Sequence, residues 1–146
     1  MERTCILAKP DAVCKNLVGT ILTRMAQVGL SLRAAKMMKL TTAQAEAFYA
    51  EHKGKPFYAP LITFMTSAPI TATVWEGEGA IAKARSVMGA TNSPEAAPGT
   101  LRREFGTNNR YNVVHGSDSP ASAEREVKFF FKPEEIFTYH DNDWKV

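Results

Sequence analysis

Residues 112–119 read NVVHGSDS: Asn112, Val113, Val114, His115, Gly116, Ser117, Asp118, Ser119. Two β-branched residues before His115 suit the end of a strand. A glycine and three small polar residues follow it, two hydroxyls and one carboxylate. Ser119-Pro120 is then a helix start, with serine as N-cap and proline in the first helical position. The reading is a strand over 111–115 and a helix from there to about Phe131, stopped by Pro133. His115 stands just ahead of that helix. Upstream, from Ala90 to about Asn109, apolar periodicity disappears into Pro, Gly, Asn and Thr. So long a loop in a small domain is functional or disordered.

Further upstream, RTCILAK (3–9) is an apolar run that Pro10 should end, because proline fixes φ and removes a donor. Leu17, Val18, Ile21, Leu22, Met25 and Val28 recur at helical spacing, and Gly29 sits where a C-terminal cap belongs. Residues 30–40 read as a strand with imperfect alternation. Residues 41–52 read as a helix starting near Thr41 or Thr42, and 57–65 as a second helix. In 69–77, Ile70, Ala72 and Val74 alternate with Thr71, Thr73 and Trp75, which predicts a strand. Ala80, Ile81, Ala84, Val87 and Met88 predict a helix closed by Gly89. No repeat or linker divides the 146 residues, so one domain over 1–146 is expected. Strands and helices mixed in one small sheet give an α+β sandwich.

Lys plus Arg exceeds Asp plus Glu by three, too mild an excess to indicate nucleic acid by itself. No apolar stretch has the length of a membrane span, and the N-terminus has no secretory h-region. Cys5 and Cys14 match no metal or redox spacing, which predicts reduced thiols in the cytoplasm. His52 and His140 are isolated and read as surface residues. No second histidine lies at ligand spacing from His115, which disfavours a metal hydrolase built on His115 and Asp118.

In the last helix, Ala123, Glu126, Val127 and Phe130 share one face. Glu126 therefore lies at the edge of a buried stripe and needs a partner. The imidazole of His115 is one, and such a carboxylate would fix its tautomer and leave the other ring nitrogen free. His115 then reads either as a packed residue of a capping loop or as a nucleophile. Lys9, Arg85, Arg102, Thr91 and Asn112 are far apart in sequence. If the fold brings them together they form a phosphate clamp, arginine forks binding oxygens in pairs and lysine adding a point charge.

The chain resembles the nucleoside diphosphate kinase family over nearly its whole length. The resemblance is carried by ERT and KPDAV near the start, FYAEHKGKPF (48–57), SAPI, WEGEGAI, MGATN, PGTLRREF and, most specifically, the N-x-x-H-G-S-D-S pattern at 112–119. It implies a ferredoxin-like sandwich: a four-stranded antiparallel sheet covered by helices, with a long loop before the active-site strand. It implies transfer of the γ-phosphoryl group of a nucleoside triphosphate, ATP by expectation, to a nucleoside diphosphate in two steps through a phosphohistidine. By motif match His115 is the nucleophile, Glu126 orients it and Ser117 supports that carboxylate. Tyr49 stands at the histidine pocket. Arg85, Arg102 and Thr91 match phosphate ligands, Lys9 the lysine near the transferring phosphate and the 3′-hydroxyl, and Asn112 the asparagine bound to the sugar. Phe57 matches the aromatic on which the base stacks, with Leu61 one turn on. Stacking tolerates any base.

Asp118 reads as a loop-capping residue, alternatively as a metal contact. Mg²⁺ should arrive with the nucleotide, bound mainly through phosphates, because this ion needs few protein ligands. Partners implied are nucleoside di- and triphosphates and further copies of the chain, a hexamer rather than a tetramer, with Trp144 packing on a neighbour. Two departures from the family pattern stand out: the proline of Thr91-Asn92-Ser93-Pro94 is displaced by one position, and Asn109 stands where a small apolar residue often closes the base slot. A catalytically silent nucleotide-binding module and a nucleic-acid-binding protein are the alternative functions. Neither explains why every matched catalytic position is filled.

Overall fold

The computed structural model describes residues 1–146. In chain order its elements are β1 (Glu2–Ala8), α1 (Pro10–Cys14), α2 (Val18–Gln27), β2 (Ser31–Met38), α3 (Thr42–Phe48), α4 (Tyr58–Met65), β3 (Ile70–Gly77), α5 (Ala80–Met88), α6 (Leu101–Phe105), β4 (Val114–Gly116) and α7 (Pro120–Phe130). Single 3₁₀ turns lie at Ala50–His52, Ser93–Glu95 and Pro133–Glu135. The strands form one sheet in the order β2-β3-β1-β4, antiparallel throughout. The expected α+β sandwich is the fold observed.

Successive residues of a strand point to opposite faces. Cys5 and Leu7 of β1 join Ala72 and Val74 of β3 on one face, under α3, α4 and α7. Ile6 and Ala8 join Trp75 on the other, under α1, α2, α5 and α6. Helices on both faces explain why Thr71, Thr73 and Trp75 are buried like their apolar neighbours. The alternation in β3 divides two cores rather than core from solvent. The hydroxyl of Thr73 is satisfied there, donating to Ile6 O at 2.7 Å and accepting from Trp75 Nε1 at 2.9 Å. The imperfect pattern of β2 has a cause as well. Its pairing with β3 shifts register between Leu32 and Ala34, a bulge at Arg33.

Four elements differ from the sequence reading. The stretch 90–109 is not wholly loop, because Thr100 caps α6 by accepting from Arg103 N. Five residues are too few to display helical periodicity. Pro10 does more than end a strand; as the first residue of α1 it starts a turn of helix. The last strand is Val114–Gly116 rather than 111–115, because Val113 has φ +62° and breaks the extended run. The helix expected over 41–52 ends at Phe48 and continues as a 3₁₀ turn. Its start at Thr41 is as read, with Thr41 and Gln44 forming a capping box.

Candidate active site

β4 is a three-residue edge strand, and groups from both helical layers reach round it. Its register places His115 opposite Leu7. Directly opposed residues of an antiparallel pair share a face, so His115 points under α3 and α7. There its Nε2 lies 2.8 Å from Glu126 Oε1. The same oxygen accepts from Ser117 Oγ at 2.9 Å, and Ser117 Oγ accepts from Cys5 N at 3.2 Å. Phe48 meets the imidazole edge-on, with ring centroids 5.4 Å apart. A carboxylate accepting at Nε2 places the ring proton there and leaves the lone pair on Nδ1, which has no hydrogen-bond partner in the chain. Glu126 and Ser117 are buried, while the His115 side chain keeps 24% of its surface exposed.

That exposed part faces a cleft of about 360 Å³. Of the residues singled out from sequence, Lys9, Tyr49, Leu61, Arg85, Thr91, Arg102, Asn112, His115 and Glu126 line it. Ser117 stands behind the wall, holding Glu126. Phe57 is not on the wall; it starts the turn that leads to Leu61, 43% exposed, with its ring 5.3 Å from that of His52. His52, read as an isolated surface residue, proves to be a correction. It is half-buried on the cleft wall and stacks on Tyr49 at 6.2 Å. Glu51, Asn109, Gly116, Asp118 and Ser122 complete that wall. His140 is on the surface as expected, its side chain 83% exposed. A groove of about 600 Å³ along α7 and a hollow of about 460 Å³ around Phe64 and Tyr111 are larger, but neither contains an imidazole.

Three cations converge. Lys9 Nζ donates to Asn112 Oδ1 at 2.7 Å and to Arg110 O at 2.9 Å. Burial, then the charges of Arg102 and Arg110, lower its pKa to about 7, with Asp11 acting the other way. An ammonium has three donors, so protonated Lys9 keeps one for a ligand. Arg102 donates to Gly89 O and Val114 O, at 3.1 and 2.8 Å, and its Nε is buried with no partner. Burial and the neighbouring Arg85 lower its pKa to about 10, so it stays charged at neutral pH. Arg85 is held by Gly116 O at 3.1 Å. Asn112 is almost saturated: its Nδ2 donates to Thr91 O at 2.9 Å and Asn109 O at 3.3 Å. Only a second lone pair on Oδ1 is left. Burial, with the charge of Glu126, raises the Tyr49 phenol, which therefore remains a neutral donor.

Gly116 serves the packing behind the site. A Cβ there would come within 2.5 Å of Met88 Sδ, so glycine lets α5 pack on β4. The cap of α7 is Ser119, which accepts from Ser122 N at 3.1 Å; hydrogen bonding from Ser122 holds the Asp118 carboxyl below its ordinary range. No group of three or more His, Cys, Asp or Glu side chains in the chain is arranged to hold a metal ion.

A sheet with this order, edged by a histidine–carboxylate pair and a trio of cations on one cleft, defines the class: an α+β sandwich with a cationic cleft around one histidine. The family model for nucleoside diphosphate kinase matches residues 2–136. Nucleoside diphosphate kinase of Coxiella burnetii is 53% identical over 94% of this chain and 99% of its own. That of Halalkalibacterium halodurans is 52% identical over 95% of each chain. The solved nucleoside diphosphate kinase of Halobacterium salinarum, in complex with CDP, superimposes with a TM-score of 0.93 at 41% identity, covering 97% of this chain and 95% of that one. The Aquifex aeolicus enzyme gives 0.90 at 43% identity, covering 93% and 99%. The chain belongs to the nucleoside diphosphate kinase family and is an enzyme of phosphotransfer between nucleotides.

Proposed function

We propose that the enzyme moves the γ-phosphoryl group from a nucleoside triphosphate, with ATP as donor, to a nucleoside diphosphate through a phosphohistidine at His115. The observation that carries the proposal is His115 itself: Nε2 tied to Glu126, Nδ1 without a partner, beside a cleft walled by Lys9, Arg85 and Arg102. In the first step the Nδ1 lone pair attacks the γ-phosphorus. An N–P bond forms, the bridging P–O bond breaks, and the diphosphate leaves with its electrons. In the second, a terminal β-phosphate oxygen of the acceptor attacks the same phosphorus and frees the imidazole. Such transfer rests on in-line placement and on cations around the equatorial oxygens.

In this reading Arg85, Arg102 and Thr91 hold phosphate oxygens, and Lys9 gives its third donor to the transferring group. The remaining lone pair of Asn112 takes a sugar hydroxyl. Tyr49, kept neutral, donates at the histidine pocket. Glu126 keeps the proton on Nε2, and Ser117 keeps Glu126 in place. Phe57 offers a face to the base, with Leu61 behind it, so purines and pyrimidines are both accepted; the CDP bound to the halobacterial relative supports a pyrimidine. The cleft's cations suit phosphate, and its few carboxylates suit an ion carried in by the nucleotide rather than one resident in the protein. Magnesium, so bound, would neutralise charge on the phosphates. We further place the enzyme in the cytoplasm, as a hexamer. Two free thiols and the absence of any helix long and apolar enough to cross a membrane accord with that location.

The test is brief incubation with γ-labelled ATP and magnesium, without acceptor. Acid-labile label should appear on the protein, move to GTP when GDP is added, and be missing from His115→Ala. Equal labelling of that variant would refute the assignment.

A further inference from the structure

Just ahead of His115 the chain holds a β-branched residue in a conformation such residues avoid. Val113 has φ +62° and is fully buried, an outlier for valine. Val114 N donates back to Asn112 O at 2.7 Å, closing a γ-turn of the strained, positive-φ kind. Left alone, the turn would relax towards an extended strand. Two bonds from the β1–α1 junction hold it. Lys9 N donates to Val113 O at 2.9 Å, and Asp11 Oδ2 accepts from Val113 N at 3.1 Å. Both peptide groups flanking Val113 are therefore pinned by residues 9 and 11.

The turn decides what its neighbours do. On one side it aims the Asn112 amide at Lys9 Nζ. On the other it starts β4 so that His115 falls opposite Leu7, under Glu126. An extended Val113 would redirect both side chains.

We propose that Asp11 is a positioning residue for phosphoryl transfer, its carboxylate clamping the Val113 turn and thereby setting Asn112 and His115 on the cleft. The proposal rests on His115 as the nucleophile. Asp11 also has a second target. Its Oδ1 is buried and receives no hydrogen bond, so its charge acts through space. The charges acting on Lys9 are Arg102 from α6, Arg110 from the loop before β4, and Asp11 from α1; Arg85 and His115 share the same cleft. Among the first three, Asp11 alone favours the ammonium form.

The experiment compares Asp11→Ala and Asp11→Asn with the native enzyme in single-turnover phosphoenzyme formation across pH 6–9, together with crystal structures of both variants. Asp11→Ala should slow phosphoenzyme formation by on the order of 100-fold, the scale of a misplaced nucleophile, with a much smaller change in KM at pH 6. In Asp11→Asn the amide oxygen still accepts from Val113 N. That variant should recover most of the rate, while its KM begins to rise at a lower pH than in the native enzyme. A native rate in Asp11→Ala, or equal damage in both variants, would overturn the proposal. So would a Val113 still at positive φ in the Asp11→Ala crystal, a readout that needs no turnover. If Asp11→Ala does not fold, Asp11→Asn decides: a near-native rate with its amide oxygen still accepting from Val113 N upholds the proposal, and a near-native rate with that bond broken and Val113 extended overturns it. Native enzyme that takes no label would count against His115 as nucleophile; the Val113 conformation tests the clamp separately.

Discussion

Glu126 Oε1 carries two of the bonds on which the proposed chemistry depends, one from His115 and one from Ser117. Because both act through one oxygen, their loss should not add. Glu126→Ala frees the imidazole to take either tautomer, and turnover is expected to fall by up to roughly 10⁴-fold, the scale seen when a catalytic histidine loses the carboxylate that fixes its tautomer. Ser117→Ala should cost less, and the double variant should be no slower than Glu126→Ala; steady-state kinetics of the three decide it. Lys9 makes a prediction in pH. In the free enzyme its pKa is lowered to about 7, whereas bound phosphate favours the ammonium and raises it. The complex thus binds more protons than the free enzyme, and affinity is fully present below about pH 7 and declines as pH rises through it. Calorimetric ADP binding between pH 6 and 9 should show weakening affinity and net proton uptake. Affinity flat across that range would place the lysine's titration elsewhere.

At the scale of elements, much of the site was legible because its residues sit at element boundaries that leave marks in sequence. The Ser119-Pro120 start and the stripe of α7 placed Glu126 at the edge of the core, where the structure finds it. The order of strands and helices matched the fold class, while Asp11 was given no role and His52 was misread as an isolated surface residue. Asp11 acts across about a hundred residues of chain on a turn whose positive φ no local pattern announces, and His52 becomes part of the cleft only when its 3₁₀ turn packs beside Phe57. Gly89 shows how an element boundary serves the site. It ends α5 at φ +88°, a Cβ there would lie 2.4 Å from Thr100 Oγ1, and its carbonyl accepts from Arg102. Gly89→Ala is expected to cost about 1–3 kcal/mol through strain and overpacking, read as a lower Tm, and to weaken nucleotide binding by displacing Arg102. An unchanged Tm would mean that the loop after α5 yields freely.

Across the whole molecule, the C-terminal segment and the cleft are separate structures. Phe137 N donates to Arg33 O at 2.9 Å, and Arg33, buried at the bulge of β2, binds Glu76 at 2.8 Å and Tyr139 O at 3.0 Å. Tyr139 lies under the guanidinium, with its hydroxyl on Leu32 O. No residue beyond Glu126 lines the cleft. Arg33→Ala should therefore lower stability by about 3 kcal/mol, the cost of breaking a buried pair, measured as a lower urea midpoint. Phosphotransfer by the folded variant should stay near native. A matching loss of turnover would couple the two ends of the sheet. The convergence of Lys9, Arg85 and Arg102 belongs to this scale as well. The three come from a strand end and from two helices, α5 and α6, on the face opposite α7. They meet because the edge strand is only three residues long. The most direct test of the nucleophile is to isolate the phosphoenzyme, formed from ATP and magnesium, and to determine by phosphorus NMR which imidazole nitrogen carries the phosphoryl group. With Nε2 held by Glu126, the label belongs on Nδ1 of His115. Phosphate on Nε2, or on a residue other than His115, would contradict the account.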